Sequence, residues 1–132
     1  MAKKANPTLR TAWAQALIDA LGASHLIRFY NGTQPTDTGT ALGAQVLLAT
    51  LTSDATPSVS VTAGVLTFDS ANYTQTNSAH VNGTPTWMTL QTAASVRVYE
   101  LSVGADGLTF TGTIQTGVDI ARGAWTWTAP DA

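Results

Sequence analysis

From Ser24 onward the chain carries turn signals about every 8 to 12 residues, and the runs between them suit short β-strands. Asn31-Gly32, Asn82-Gly83 and Asp106-Gly107 are turn dipeptides, and Gly39, Gly43, Gly64, Gly117 and Gly123 add further breaks. About one residue in six is Thr, and the runs are rich in Val, Leu and aromatics, which suit a pleated surface. His25 to Tyr30 reads as a dense first strand. Gln45 to Thr52 reads as a second, apolar on both faces through Val46, Leu47, Leu48, Ala49 and Leu51 and therefore expected to be buried on both sides. Val59 and Val61 alternate with Ser and Thr, and Val65 to Phe68 forms a short strand. Thr84 to Leu90, Ser95 to Val103, Leu108 to Ile114, Val118 to Arg122 and a last strand carrying Trp125 and Trp127 complete the set. In Ser95 to Val103, simple alternation places Arg97, Tyr99, Leu101 and Val103 on one side. Asp69 to Asn82 is poor in aliphatic residues and reads as a long loop or an exposed edge strand.

One segment breaks this rhythm. Asn6 is a good N-cap, Pro7 suits the first helical position and Gly22 suits the residue that ends a helix. Leu9, Ala12, Trp13, Ala16, Leu17, Ala20 and Leu21 recur at helical spacing, with Arg10, Gln15 and Asp19 off the stripe. The stripe must cover either the chain's own sheet or a neighbouring subunit. The fold class that follows is mainly β: an antiparallel β-sandwich or jelly roll of about eight strands with one N-terminal α-helix. One domain spans 1–132, with an arm at 1–6, the helix at 7–22 and the sandwich at 24–130.

The side chains that carry chemistry are scarce. There is no Cys, there are two His, and 11% of residues are charged against 44% hydrophobic. His25 and His80 are the only general bases suited to neutral pH; His25 is expected to cap or pack at a strand start, and His80 to be solvated. No G-x-S-x-G elbow is present. Asp69, His80, Asp106 and Asp119 match no metal-ligand spacing. The chain therefore reads as not an enzyme, with no cofactor and no metal. The net charge of −2 and the absence of a basic block longer than Lys3-Lys4 argue against nucleic acid. No run reaches the length of a membrane span. The segment after Lys3-Lys4 is amphipathic rather than apolar, so a secretory signal is not expected. Asn31, Asn72 and Asn82 head Asn-x-Thr triplets, two of which are Asn-Gly turn signals first.

The aromatics have two readings. Trp87, Trp125, Trp127, Tyr73 and Tyr99 could stack on sugar rings; alternatively Trp13 and Trp87 fill the core, and Trp125 and Trp127 cover a sheet end or a partner. Low charge favours association with other proteins. The expected partner-facing residues are Trp125 and Trp127 with the polar loop after the first strand: Thr33, Gln34, Pro35, Thr36, Asp37 and Thr38.

The stretch Leu26-Ile27-Arg28-Phe29-Tyr30-Asn31-Gly32-Thr33-Gln34-Pro35, followed by Val46-Leu47-Leu48-Ala49-Thr50-Leu51, resembles a group of small virion structural proteins of tailed bacteriophages. In that group a helix precedes an I-R-x-Y-x-G-x-x-P type strand and turn, and a polar loop and an L-L-A-x-L strand follow. Gly64-Val65-Leu66-Thr67 and Gly83-Thr84 through Trp87 are similar to later motifs of the group, whereas Ala124-Trp125-Thr126-Trp127 departs from its Val/Ser/Thr-rich final strand. The resemblance implies a capsid decoration or cement protein that stabilises the head lattice, or else a tail or head–tail connector component. A host-glycan-binding module is the alternative from another class. The implied partners are the major capsid protein or other virion proteins, with a homo-oligomer on the particle, and the implied location is the virion. The resemblance carries no catalytic residues.

Overall fold

The computed structural model describes residues 6–54, 59–62, 65–69, 73–103, 112–120 and 124–128. Helix α1 spans Pro7–Leu21. Asn6 caps it, its Oδ1 accepting from the Leu9 N–H at 2.8 Å, and Gly22 ends it, its N–H donating to the Ile18 carbonyl at 3.1 Å. Gly22 sits at φ +71°, a conformation that costs a side-chain-bearing residue strain. The buried face of α1 runs through Ala14, Leu17 and Leu21. Of the expected stripe, Leu17 and Leu21 meet the chain's own core, whereas Leu9 and Trp13 are 43% and 41% exposed and do not. Apolar residues cover about half the helix circumference, so spacing alone could not say which edge of that broad stripe meets the sheet.

The strands in chain order are β1 (Leu26–Tyr30), β2 (Leu47–Ser53), β3 (Val59–Thr62), β4 (Val65–Asp69), β5 (Tyr73–Gln75), β6 (Trp87–Gln91), β7 (Arg97–Ser102) and β8 (Ala124–Thr128). The fold is mainly β, with one helix and a five-stranded antiparallel sheet ordered β5-β2-β1-β6-β7; β3-β4-β8 form a second, three-stranded antiparallel sheet. Most strands fall where the turn signals bound them. Strand β2 starts late, and Val46 and Leu47 are exposed rather than buried on both sides. The polar stretch 69–82 holds the short edge strand β5 and a 3-10 turn at Asn77–Ala79. The strand expected over Leu108 to Ile114 lies mostly outside the described residues; Ile114 itself is buried and forms an isolated bridge with Gly83. Residues 118–120 are not a strand, and 121–122 lie outside the described residues. A Cβ on Gly83 would come within 2.9 Å of Leu48 Cδ2, so glycine is what allows the close approach there.

Register separates the five-stranded sheet into two unlike faces. One carries Ile27, Phe29, Ala49, Leu51, Met88, Leu90 and Leu101, cross-strand neighbours that join Ala14, Leu17 and Leu21 in the hydrophobic core. The other carries Arg28, Thr50, Thr52, Thr74, Thr89, Gln91 and Glu100. A bulge in the β6–β7 ladder pairs Gln91 with Arg97 and Leu90 with Tyr99. That extra residue moves Arg97 off the side of Tyr99 and Leu101, where alternation had placed it, and onto the polar face beside Glu100.

In the three-stranded sheet, α1 lies alongside β3 and β4. In register, Val59 pairs with Phe68 and Phe68 with Trp125, while Val61 pairs with Leu66 and Leu66 with Trp127.

Candidate interaction surfaces

The loop from Asn31 to Val46 folds back over the β6–β7 half of the polar face. Asn31 anchors both ends: its N–H donates to the Val46 carbonyl and its Oδ1 accepts from the Val46 N–H, each at 3.1 Å. The Trp87 indole N–H donates to the Asn31 carbonyl at 3.2 Å, and the Thr86 hydroxyl to the Gly32 carbonyl at 2.8 Å. Arg97 donates to the Thr40 carbonyl. Within the loop, Asp37 Oδ1 accepts from the Gly39 N–H at 2.8 Å and from the Thr40 hydroxyl at 3.0 Å, and Gln45 Nε2 donates to the Thr33 carbonyl at 2.6 Å. Thr33 to Thr38, expected to form a binding loop, thus also roof a buried polar layer. Gln34, Pro35, Thr36, Asp37 and Thr38 meet Tyr99 and Glu100 around a shallow cavity of about 340 Å³.

Beneath that roof Thr89 and Gln91 are buried, Gln91 Nε2 donating to Thr89 Oγ1 at 2.7 Å and Arg28 donating to Gln91 Oε1 at 3.1 Å. Arg97 and Glu100 form an ion pair at 2.6 Å. Burial raises the Glu100 carboxyl above its ordinary 4.5; the Arg97 charge opposes that rise, and the negative charge of Asp37 adds to it. Trp87, fully buried, stacks on Tyr30 with ring centroids 4.5 Å apart, so neither ring is offered to a sugar.

On the β2–β5 half the polar face stays open. A groove of about 460 Å³ has Thr50, Thr52 and Thr74 in its lining, Leu48 and Val81 on its aliphatic side, and His80 in its wall. His80 was expected in solvent, yet it is 3% exposed. Its chain segment is tied down from both sides. The Val81 N–H donates to the Leu48 carbonyl at 2.9 Å, and the Thr116 hydroxyl donates to the His80 carbonyl at 2.6 Å. His80 Nδ1 donates to the Val118 carbonyl at 3.1 Å, which leaves Nε2 of the neutral ring as an acceptor. That Nε2 is buried and has no hydrogen-bond partner. An unsatisfied buried acceptor costs about 1–3 kcal/mol. The polar composition of residues 69–82 hid this histidine; its burial depends on contacts with residues 114–118, far along the chain.

The other histidine behaves as expected. His25 Nδ1 donates to the Gly22 carbonyl at 3.1 Å, and the Tyr73 hydroxyl donates to Nε2 at 2.6 Å. Ser53 Oγ lies 3.2 Å from Nδ1 and donates to the Asp54 carbonyl. Desolvation lowers the His25 pKa below its ordinary 6.5, partly offset by the bond to Gly22, and burial raises that of Tyr73. Ser53, His25 and Tyr73 are all buried, and the proton on Nδ1 faces away from any role as a base toward Ser53. The cluster ties the helix end to β1, β2 and β5.

Asp119 accepts from Asn77 Nδ2 at 2.9 Å, and Asp106 lies outside the described residues. Among the described residues no three His, Cys, Asp or Glu gather as a metal site, and no helix is long and apolar enough to cross a membrane. Trp125 and Trp127 lie on β8, in register with Phe68 and Leu66 of β4, and their side chains are outside the description. The remaining surface of note is on α1. Leu9, Ala12, Trp13, Ala16 and Ala20 form an exposed strip with no charged residue within it. Helical spacing grouped these residues with Leu17 and Leu21 in one stripe without deciding whether it meets the chain's own sheet or a neighbour.

Compared with known proteins, the chain matches no family model, no curated protein and no solved structure.

Proposed function

We propose that this protein is a structural component of a tailed-phage virion, a capsid decoration or cement protein that binds the outside of the head lattice and contacts the major capsid protein. It acts as a binding protein rather than an enzyme, works in several copies on the particle, and packs its two sheets as a jelly-roll type sandwich. One observation carries the reading: α1 holds Leu9 and Trp13 in solvent on an uncharged strip, flanked by Ala12, Ala16 and Ala20, which let another backbone approach closely. A large aromatic costs solvation when exposed and is returned to a favourable state by a protein partner. The sequence resemblance adds the kind of partner, and Trp125 and Trp127 with the loop Thr33 to Thr38 are the second contact region.

The test is to mix purified protein with particles lacking it and sediment the mixture in about 1 M salt, where the Debye length is about 3 Å and charge steering is lost. The protein is expected to pellet with heads, and Trp13→Ala to weaken that association. Retention by tails alone would replace the cement role with a tail or connector role. Retention by neither would overturn the virion reading.

A further inference from the structure

We propose that the open groove on the polar face, between β2 and the 76–81 segment, binds a neutral polyhydroxylated ligand, a saccharide ring, with His80 as a hydrogen-bond acceptor. This does not rest on the virion reading. At about 460 Å³ the groove is within the range that holds small ligands. Thr50, Thr52 and Thr74 bring hydroxyls that donate or accept. Val81 adds an aliphatic side.

The lining selects among ligand classes. It has no acidic or basic side chain apart from the imidazole, so a charged ligand would lose hydration without gaining a counter-charge. An apolar ligand would leave the threonine hydroxyls and His80 Nε2 without partners. A sugar ring offers C–H edges for the aliphatic side and hydroxyl donors for the rest. His80 Nε2 specifically needs a donor, because Nδ1 already gives its proton to the Val118 carbonyl. His80 shares the wall of the groove with the exposed Val81.

The experiment follows the ¹⁵N resonances of the His80 ring while the full chain is titrated with glucose, galactose, mannose and N-acetylglucosamine, each to about 50 mM, a range that captures millimolar affinities. At least one sugar is expected to shift Nε2 saturably, with Thr52→Val weakening it at least about fivefold and His80→Phe abolishing it. Absence of a His80 shift with all four sugars would overturn the proposal. So would saturable binding that both variants leave unchanged. Should His80→Phe fail to fold, Thr52→Val and the wild-type ring shift decide between these outcomes.

Discussion

The two faces of the five-stranded sheet are built from the same five strands but held by different physics. The apolar face is covered by α1, and its residues are interchangeable hydrophobes whose stability comes from area removed from water. The polar face is covered over β6 and β7 by a loop, and there groups depend on named partners: Arg97 on Glu100 and Thr40, Gln91 on Thr89 and Arg28, Trp87 on Asn31. A hydrophobic layer tolerates approximate fit, whereas a polar layer under cover stabilises only when its members are satisfied. The first makes the fold; the second fixes where one loop lies.

Four tests would break or sharpen that contrast. Phe29→Ala, at a fully buried site on the apolar face, is expected to cost about 3–5 kcal/mol in chemical denaturation. A loss below about 1 kcal/mol would show that this face is not the core.

On the polar face Arg97→Met is expected to cost about 1–3 kcal/mol, since it leaves Glu100 buried without its ion-pair partner. Arg97→Met with Glu100→Gln is expected to cost less than the sum of the single changes, and a double-mutant cycle reads the coupling. Strict additivity would mean the pair is not coupled in the fold.

The His25 cluster joins the helix end to the sheet, and its sign is fixed by its shift. Its folded pKa lies below 6.5, so the unfolded state takes up the proton first. Stability should therefore fall as pH drops below about 6.5 and level off below the folded pKa. Glu100 acts oppositely: its raised carboxyl contributes stability below about pH 4.5 that is lost as pH rises through its folded value. Urea titrations between pH 8 and 5 check this, with His25→Gln expected to remove the acid-side fall and Glu100→Gln, which removes an opposing contribution, to keep or steepen it.

The smallest effect is expected at Trp13. Because it is 41% exposed, Trp13→Ala should change the stability of the isolated protein by less than about 1 kcal/mol. A loss of several kcal/mol would place Trp13 in the core, as its sequence spacing suggested, and would remove the support for α1 as a docking surface.

Local chemistry wrote much of this structure into the sequence. Asn6, Pro7 and Gly22 set the limits of α1 through capping and φ preference, which act within one turn. Turn dipeptides and β-branched runs located the strands, because hairpin chemistry and pleat periodicity are short-range. What reached across the chain was not legible there. The Arg97 position came from a bulge, which breaks alternation without a local residue signature. His80 is held by Thr116 and Val118, and Trp13 lies on the side of α1 away from Ala14, Leu17 and Leu21, the face that meets the core. The loop at Thr33 to Thr38 looked free by composition but is held by Arg97, 57 residues after Thr40, whose carbonyl it binds. The sequence by itself determined the elements, since propensity and capping are local free energies. Only the tertiary structure decided which polar groups found partners and which face of the sheet stayed open, because those depend on contacts between residues distant in the chain.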